Sequence, residues 1–177
     1  EVMRGLGGMS YEFHGRERLG RPGQLIIANH PTLIDVVLII AFTPVPVCVV
    51  KAALFRNPYT RLVLKAAGYI PNDPTGMMIE RASDALRGGE CLVMFPEGTR
   101  SRPGEPMVFS RGTAAVAARA AQILTPIYIG CEPNFLNKSM PWYRVPARRP
   151  HLKVEVGEDI YLSFYRNLPP HKAREEE

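Results

Sequence analysis

Nowhere in this 177-residue chain do apolar residues run for the roughly 18 positions that a membrane-spanning helix needs. The opening Glu1-Val2-Met3-Arg4 leads into glycines, without the apolar core of a secretory signal. Cysteine is scarce. Cys48, Cys91 and Cys131 are odd in number and each lies within an apolar segment, which argues against a disulfide framework or a metal cluster. Buried, reduced thiols and a cytosol-facing location are expected instead. Histidine is sparse too, and His14, His151 and His171 have no companions at ligand spacing, so no metal site and no cofactor are indicated. Internal repeats and low-complexity blocks are missing. The arginines are scattered and no nucleic-acid-binding module is present, so nucleic acid is not expected as a partner.

What remains is an ordinary globular composition, 46% apolar and 22% charged. Its length suits one domain over residues 1–177. The net charge of +5 and pI near 9.3 favour anionic partners such as phospholipid headgroups, coenzyme A phosphates or an acidic carrier protein.

Short apolar runs alternate with helical patterns along the chain. Residues 24–28, 45–50, 91–95, 126–131 and 151–156 read as strands. Helices are predicted from Thr32 to Phe42, stopped by Pro44 and Pro46, and from Asn57-Pro58 to Ala67, closed by Gly68. Two more are predicted, from Met77 to Leu86 and from Ser110, as a capping residue, to Gln122. Residues 132–150, broken by four prolines and carrying Trp142, read as a packed loop. The pattern implies an α/β fold, with a central, largely parallel or mixed sheet flanked by helices. Such sheets carry their sites at the carboxyl ends of strands.

Two segments follow strands directly. The first is Asn29-His30-Pro31-Thr32-Leu33-Ile34-Asp35. Pro31 biases His30 away from α geometry, so the imidazole stands at the mouth of a strand-to-helix turn. Asp35, about one helical turn on, can reach Nδ1, fix the tautomer and steady the imidazolium formed when Nε2 takes a proton. A bare pair at this spacing also arises as a helix-capping histidine beside a surface aspartate. The second segment is Phe95-Pro96-Glu97-Gly98-Thr99-Arg100-Ser101. Arg100 offers a planar fork for phosphate oxygens, and Glu97 an acceptor for a hydroxyl or a brace for Arg100. Backbone N–H groups around Gly98 are candidate donors to an oxyanion. A Glu97–Arg100 ion pair bracing a turn is the plainer reading. Lys51, after a strand, and Arg111, at a helix start, are further candidates for an anionic substrate. Either could instead be a solvated charge.

In these blocks the chain resembles the glycerolipid acyltransferases, of the 1-acylglycerol-3-phosphate acyltransferase type. Residues 29–35 match that family's N-H-x4-D block and residues 95–101 its F-P-E-G-T-R-S block. Phe109-Ser110-Arg111-Gly112 matches its F-x-[KR]-G element, and Thr125 to Ile129 a later apolar strand. The matches span roughly residues 24–131. The resemblance implies acyl transfer from acyl-CoA or an acyl carrier protein to a lipid hydroxyl. His30 would be the base and Asp35 its orienting partner, with Glu97, Gly98, Thr99, Arg100, Lys51 and Arg111 around the substrate. It also implies the cytoplasmic face of a membrane, reached peripherally or through helices that lie outside this chain.

One departure bears on the acceptor. Where the family has an apolar stretch ending in Asp-Arg, this chain has Gly68-Tyr69-Ile70-Pro71-Asn72-Asp73 followed by Pro74, which supplies neither charge nor N–H. Lys51, Arg56 or Arg111 is the expected substitute. An unphosphorylated lipid or polyketide-like alcohol is the alternative acceptor. Thioester hydrolysis and non-catalytic lipid binding are the rival functions.

Overall fold

The computed structural model describes residues 8–73, 76–101, 106, 108–138, 140–141, 143–144 and 146–162. Pro74, Trp142, His171 and the acidic tail lie outside the described residues. Among the described residues eight strands form one mixed sheet in the order β1-β7-β6-β2-β5-β3-β4, with β8 paired to β6. The strands are β1 (Ser10–His14), β2 (Gln24–Ala28), β3 (Pro46–Lys51), β4 (Ile70–Asn72), β5 (Cys91–Met94), β6 (Ile123–Glu132), β7 (His151–Val156) and β8 (Ile160–Tyr161). Every pairing is parallel except those of β6 with β7 and β8.

Alternation along the central strands assigns their side chains to two layers. Ile26, Ala28, Cys48 and Val93 face one way and pack with Leu38 and Ile39 of α1 (Asp35–Phe42). Leu25, Val47, Leu92 and Met94 face the other way, against α4 (Met77–Arg87) and α5 (Arg111–Ala120). The helices present matching stripes: Met78, Ala82 and Leu86 recur every four residues on α4, and Val116 and Ala120 do so on α5. Two helices lie outside this sandwich, α2 (Ala52–Arg56) and α3 (Pro58–Ala66), and neither buries a residue.

Several elements differ from the sequence reading. The first helix starts at Asp35, after a turn in which the Asp35 carboxylate holds the N–H and hydroxyl of Thr32. Ser110 sits at the start of α5, but its hydroxyl meets Thr113 Oγ1 at 3.2 Å and caps no backbone N–H. That helix ends at Ala120, since Ala121 turns extended and the next strand begins at Ile123. Strands β1 and β8 and helix α2 had no predicted counterpart. The three cysteines are free and buried. Burial pushes the Cys48 thiol up to about 12 and Cys91 to about 11, so neither supplies a thiolate near neutrality.

At the amino end of β2 a polar latch ties three segments together. Gln24 Nε2 donates to Thr125 Oγ1 at 2.6 Å, Thr125 Oγ1 donates to Asp159 Oδ1 at 2.6 Å, and Arg21 pairs with Asp159. Burial raises the Asp159 carboxyl, but hydrogen bonds from Arg21 and Thr125 outweigh it and hold the group below the usual carboxylate range. A depressed folded-state pKa contributes stability that is complete above the unfolded value of about 4 and is lost as pH falls through the folded value. Asp159→Asn is expected to cost about 2 kcal/mol, or about 4–8 °C in Tm, at neutral pH. The deficit should narrow below about pH 4 in thermal melts; a deficit constant across that range would refute the charge argument.

Candidate functional site

Parallel pairing of β2 with β5 creates the site. The strands align Leu25 with Leu92, Ile26 with Val93 and Ile27 with Met94. Carried three residues further, this offset of 67 sets His30 opposite Glu97, and the His30 backbone N–H does donate to Glu97 Oε1 at 3.2 Å. Ser101 closes the junction. Its hydroxyl lies 2.7 Å from Glu97 Oε1 and 3.2 Å from the His30 nitrogen, and its N–H donates to the His30 carbonyl at 2.7 Å. The two loops leaving the sheet are thus stitched together at the histidine.

Asn29 performs a similar splice toward β6. Its amide donates to the Ile129 carbonyl at 2.8 Å and accepts the Ile129 N–H at 2.7 Å. A side chain thereby continues a ladder that the β2 backbone has left.

His30 Nδ1 lies 3.1 Å from Asp35 Oδ2. The Asp35 side chain is 0% exposed and that of His30 15%. The same carboxylate takes the Thr32 N–H at 2.7 Å and the Thr32 hydroxyl at 2.5 Å, while Thr32 Oγ1 accepts the Ile34 N–H at 3.0 Å. The same carboxylate thus fixes the turn that leads into the helix and orients the imidazole. The Phe95 ring, 4.6 Å from the imidazole between centroids, limits its tilt from the other side. With Nδ1 facing an acceptor, the proton of the neutral ring belongs there, and Nε2 is left with a lone pair. The surface-aspartate reading of the pair is thereby overturned.

A cavity of about 540 Å³ opens beside His30, a volume typical of small-molecule sites. Its origin is a mismatch in strand length. Strand β5 ends at Met94, which the register sets opposite Val49, whereas β3 continues to Lys51, so past Val49 the inner edge of β3 has no strand beside it. Lys51, Gly98, Thr99 and Arg100 contribute to the lining with His30, and Leu33, Val36, Leu54, Met78 and Met94 supply apolar wall. Arg111 is exposed on α5 and Arg56 on α2, and neither lines this cavity.

The second segment is wired differently from either sequence expectation. Among the described residues no Glu97–Arg100 pair forms, because Glu97 holds the His30 backbone and Ser101. Arg100 Nη1 donates to the Leu136 and Asn137 carbonyls at 2.7 and 3.0 Å. Its other nitrogens keep no partner among the described residues. The N–H of Gly98 closes a turn onto the Phe95 carbonyl at 2.9 Å, so it is not free to serve an oxyanion. Glycine is required there by its φ of 63°, since its surroundings are open. Thr32 and Ser101 were missed as site-builders. The spacing Thr-x-x-Asp was the available signal for Thr32, whereas the contacts of Ser101 are tertiary.

Residues 10–130 match the family model described as Acyltransferase. A Borreliella burgdorferi protein named 1-acyl-sn-glycerol-3-phosphate acyltransferase is 28% identical over 142 residues, covering 76% of this chain and 57% of that protein. A Helicobacter pylori protein of the same name is 26% identical, over 86% of this chain and 68% of its own length. This chain therefore spans less than two thirds of the first of these relatives. The crystal structure of the 1-acyl-sn-glycerophosphate acyltransferase PlsC from Thermotoga maritima superposes with a TM-score of 0.74 at 20% identity, covering 93% of this chain and 66% of that one. It shares the fold.

Thr32→Val should leave the buried Asp35 carboxylate short of one donor, at a cost of about 1–3 kcal/mol in urea unfolding. Unchanged stability would refute the shared-carboxylate arrangement.

Proposed function

The chain belongs to the acyltransferase family, and on that premise we propose that it transfers an acyl group from a thioester, acyl-CoA or acyl carrier protein, to the hydroxyl of a lysophospholipid such as 1-acylglycerol-3-phosphate. The observation that carries the reading is the buried Asp35–His30 pair opening onto a cavity with cationic and apolar lining. The acceptor's hydroxyl is itself the nucleophile, so a base suffices and no serine or cysteine partner is needed. His30 Nε2 takes the hydroxyl proton as oxygen attacks the thioester carbonyl. The tetrahedral intermediate then collapses, its C–S bond breaks, and the imidazolium returns the proton to the departing thiolate. Asp35 stabilises the imidazolium between these steps.

The apolar wall suits an acyl chain. Arg100 and Lys51 suit phosphate oxygens of the acceptor or donor. The names of the relatives favour a phosphate-bearing acceptor. The sequence Asp73-Pro74, where the resembled family has arginine after the aspartate, favours an unphosphorylated lipid alcohol as the second reading. Work at a membrane surface is proposed with either acceptor, since a lipid alcohol resides in a bilayer. Among the described residues no helix is long and apolar enough to cross one.

A screen of thioester donors against lipid alcohols, with product mass spectrometry, tests the reading. Ester product that depends on the alcohol is expected. Free fatty acid formed at the same rate with and without alcohol would identify a hydrolase. His30→Ala should lower turnover about 10²- to 10⁴-fold in a protein that still folds, at a stability cost of about 1–3 kcal/mol for the donor lost to Asp35, and Asp35→Asn should keep residual activity. Near-normal turnover by a folded His30→Ala protein would sink the dyad assignment.

Arg100→Lys loses the planar fork that holds the Leu136 and Asn137 carbonyls and has nitrogens to spare. A fall in kcat/KM of about 10- to 150-fold is expected for phosphate-bearing substrates, and a smaller one for neutral analogues. Equal losses for both would assign Arg100 to loop anchoring alone.

A further inference from the structure

From Val36 to Asn72 the sequence contains no acidic residue and four basic ones, Lys51, Arg56, Arg61 and Lys65, all exposed. Much of the +5 net charge is therefore concentrated in one stretch. Within it, α3 packs on α2: Thr60 donates to the Leu54 carbonyl at 2.5 Å, and Leu64 is half-buried. The opposite side of α3 is apolar and bare. Tyr59, Leu62 and Val63 are 89%, 76% and 67% exposed, and their spacing of three and four places them on one helix face. Arg61 and Lys65, four apart, form the adjoining stripe.

We propose that this face of α3, with its basic flank, is the docking surface for an anionic phospholipid bilayer. An aromatic ring and two aliphatic side chains beside cations, in a stretch of sequence without an acid, match an interfacial helix. The apolar groups enter the headgroup–acyl boundary while the cations snorkel to the phosphates. Charge argues against a second copy as the occupant, since two such faces would oppose like charges with no acid in the stretch to pair them. Position argues for a membrane. Lys51 and Leu54, immediately before and within α2, line the cavity beside His30, and both Leu54 and Leu33 on its wall are partly bare, at 41% and 51% exposed. Seating α3 on a bilayer brings that apolar rim to the lipid. The purpose of the surface rests on the acyl-transfer reading; its lipid affinity does not.

Flotation of the 177-residue chain with vesicles tests the proposal, using phosphatidylcholine alone and an equimolar mixture with phosphatidylglycerol. Binding to the mixed vesicles is expected, weakening with salt, with little binding to phosphatidylcholine. Arg61→Gln with Lys65→Gln should weaken it about 25-fold, at about fivefold per charge. Leu62→Ser with Val63→Ser should weaken it at least about tenfold while leaving its salt dependence in place. Both variants should keep the parent Tm and its turnover of water-soluble, short-chain substrates. Absence of preference for anionic vesicles, parent-like binding by either variant, or a solution dimer dispersed by Leu62→Ser would overturn the proposal. Vesicle binding without turnover of soluble substrates would fault the reaction and leave the surface supported.

Discussion

The carboxylate of Asp35 carries more of this structure than any other group. It is fully buried, which for an ion is tolerable only with a full set of donors. Thr32 supplies two of them, an N–H and a hydroxyl, and His30 Nδ1 the third. Each donor is thereby fixed by a requirement of folding. The turn from Pro31 to Ile34 cannot relax without stranding the charge, and the imidazole cannot rotate without giving up its share. The geometry that general-base chemistry needs is therefore maintained by the helix start itself, before any substrate arrives.

The second constraint is strand register. Because β2 and β5 are parallel neighbours with a fixed offset, their carboxyl ends emerge side by side, and residues far apart in sequence become partners. Glu97 then bonds the backbone of His30, and Ser101 seals the contact from both sides. The early end of β5 opens the space that the loops surround. One mismatch in strand length thus produces both the cavity and its access to the histidine, which explains why the apolar wall draws on side chains from the two layers on opposite sheet faces.

The α/β class and most strands were legible because buried parallel strands are short runs of Ile, Val and Leu between turn residues. Strand β1 was overlooked although Tyr11 and Phe13 alternate with Ser10, Glu12 and His14, because two apolar residues in a five-residue stretch are a weak signal. The His30–Asp35 pairing was readable from spacing, although the helix start was misplaced by three residues. The Thr32–Asp35 spacing reads as a helix start, whereas the helical hydrogen bonds begin at the Ile34 carbonyl. The wiring of Glu97 and Arg100 was not readable at all. Neighbours in sequence with opposite charge suggest a pair, but each found a better partner through tertiary contact. Arg111 failed for a related reason: sequence adjacency to cavity residues Ser110 and Gly112 says nothing about which side of a helix faces inward.

These placements bear on which anion the site prefers. Of the cations that were candidates to replace the arginine missing after Asp73, Arg56 and Arg111 stand away from the cavity lining, and Lys51 remains within it. Arg100 is the other cation there, and its Nη1 is already spent on the Leu136 and Asn137 carbonyls. A phosphate in this cavity would therefore meet one mobile ammonium and the remaining edge of a guanidinium, in place of two full forks. Such a site holds a dianion by charge more than by directed hydrogen bonds, because an ammonium acts as a point charge without the planar geometry of arginine. Discrimination among phosphate-bearing headgroups would then be weak, and more of the selectivity would fall to the apolar wall, where Leu33, Val36, Leu54 and Met78 would meet the hydrocarbon of the proposed substrate.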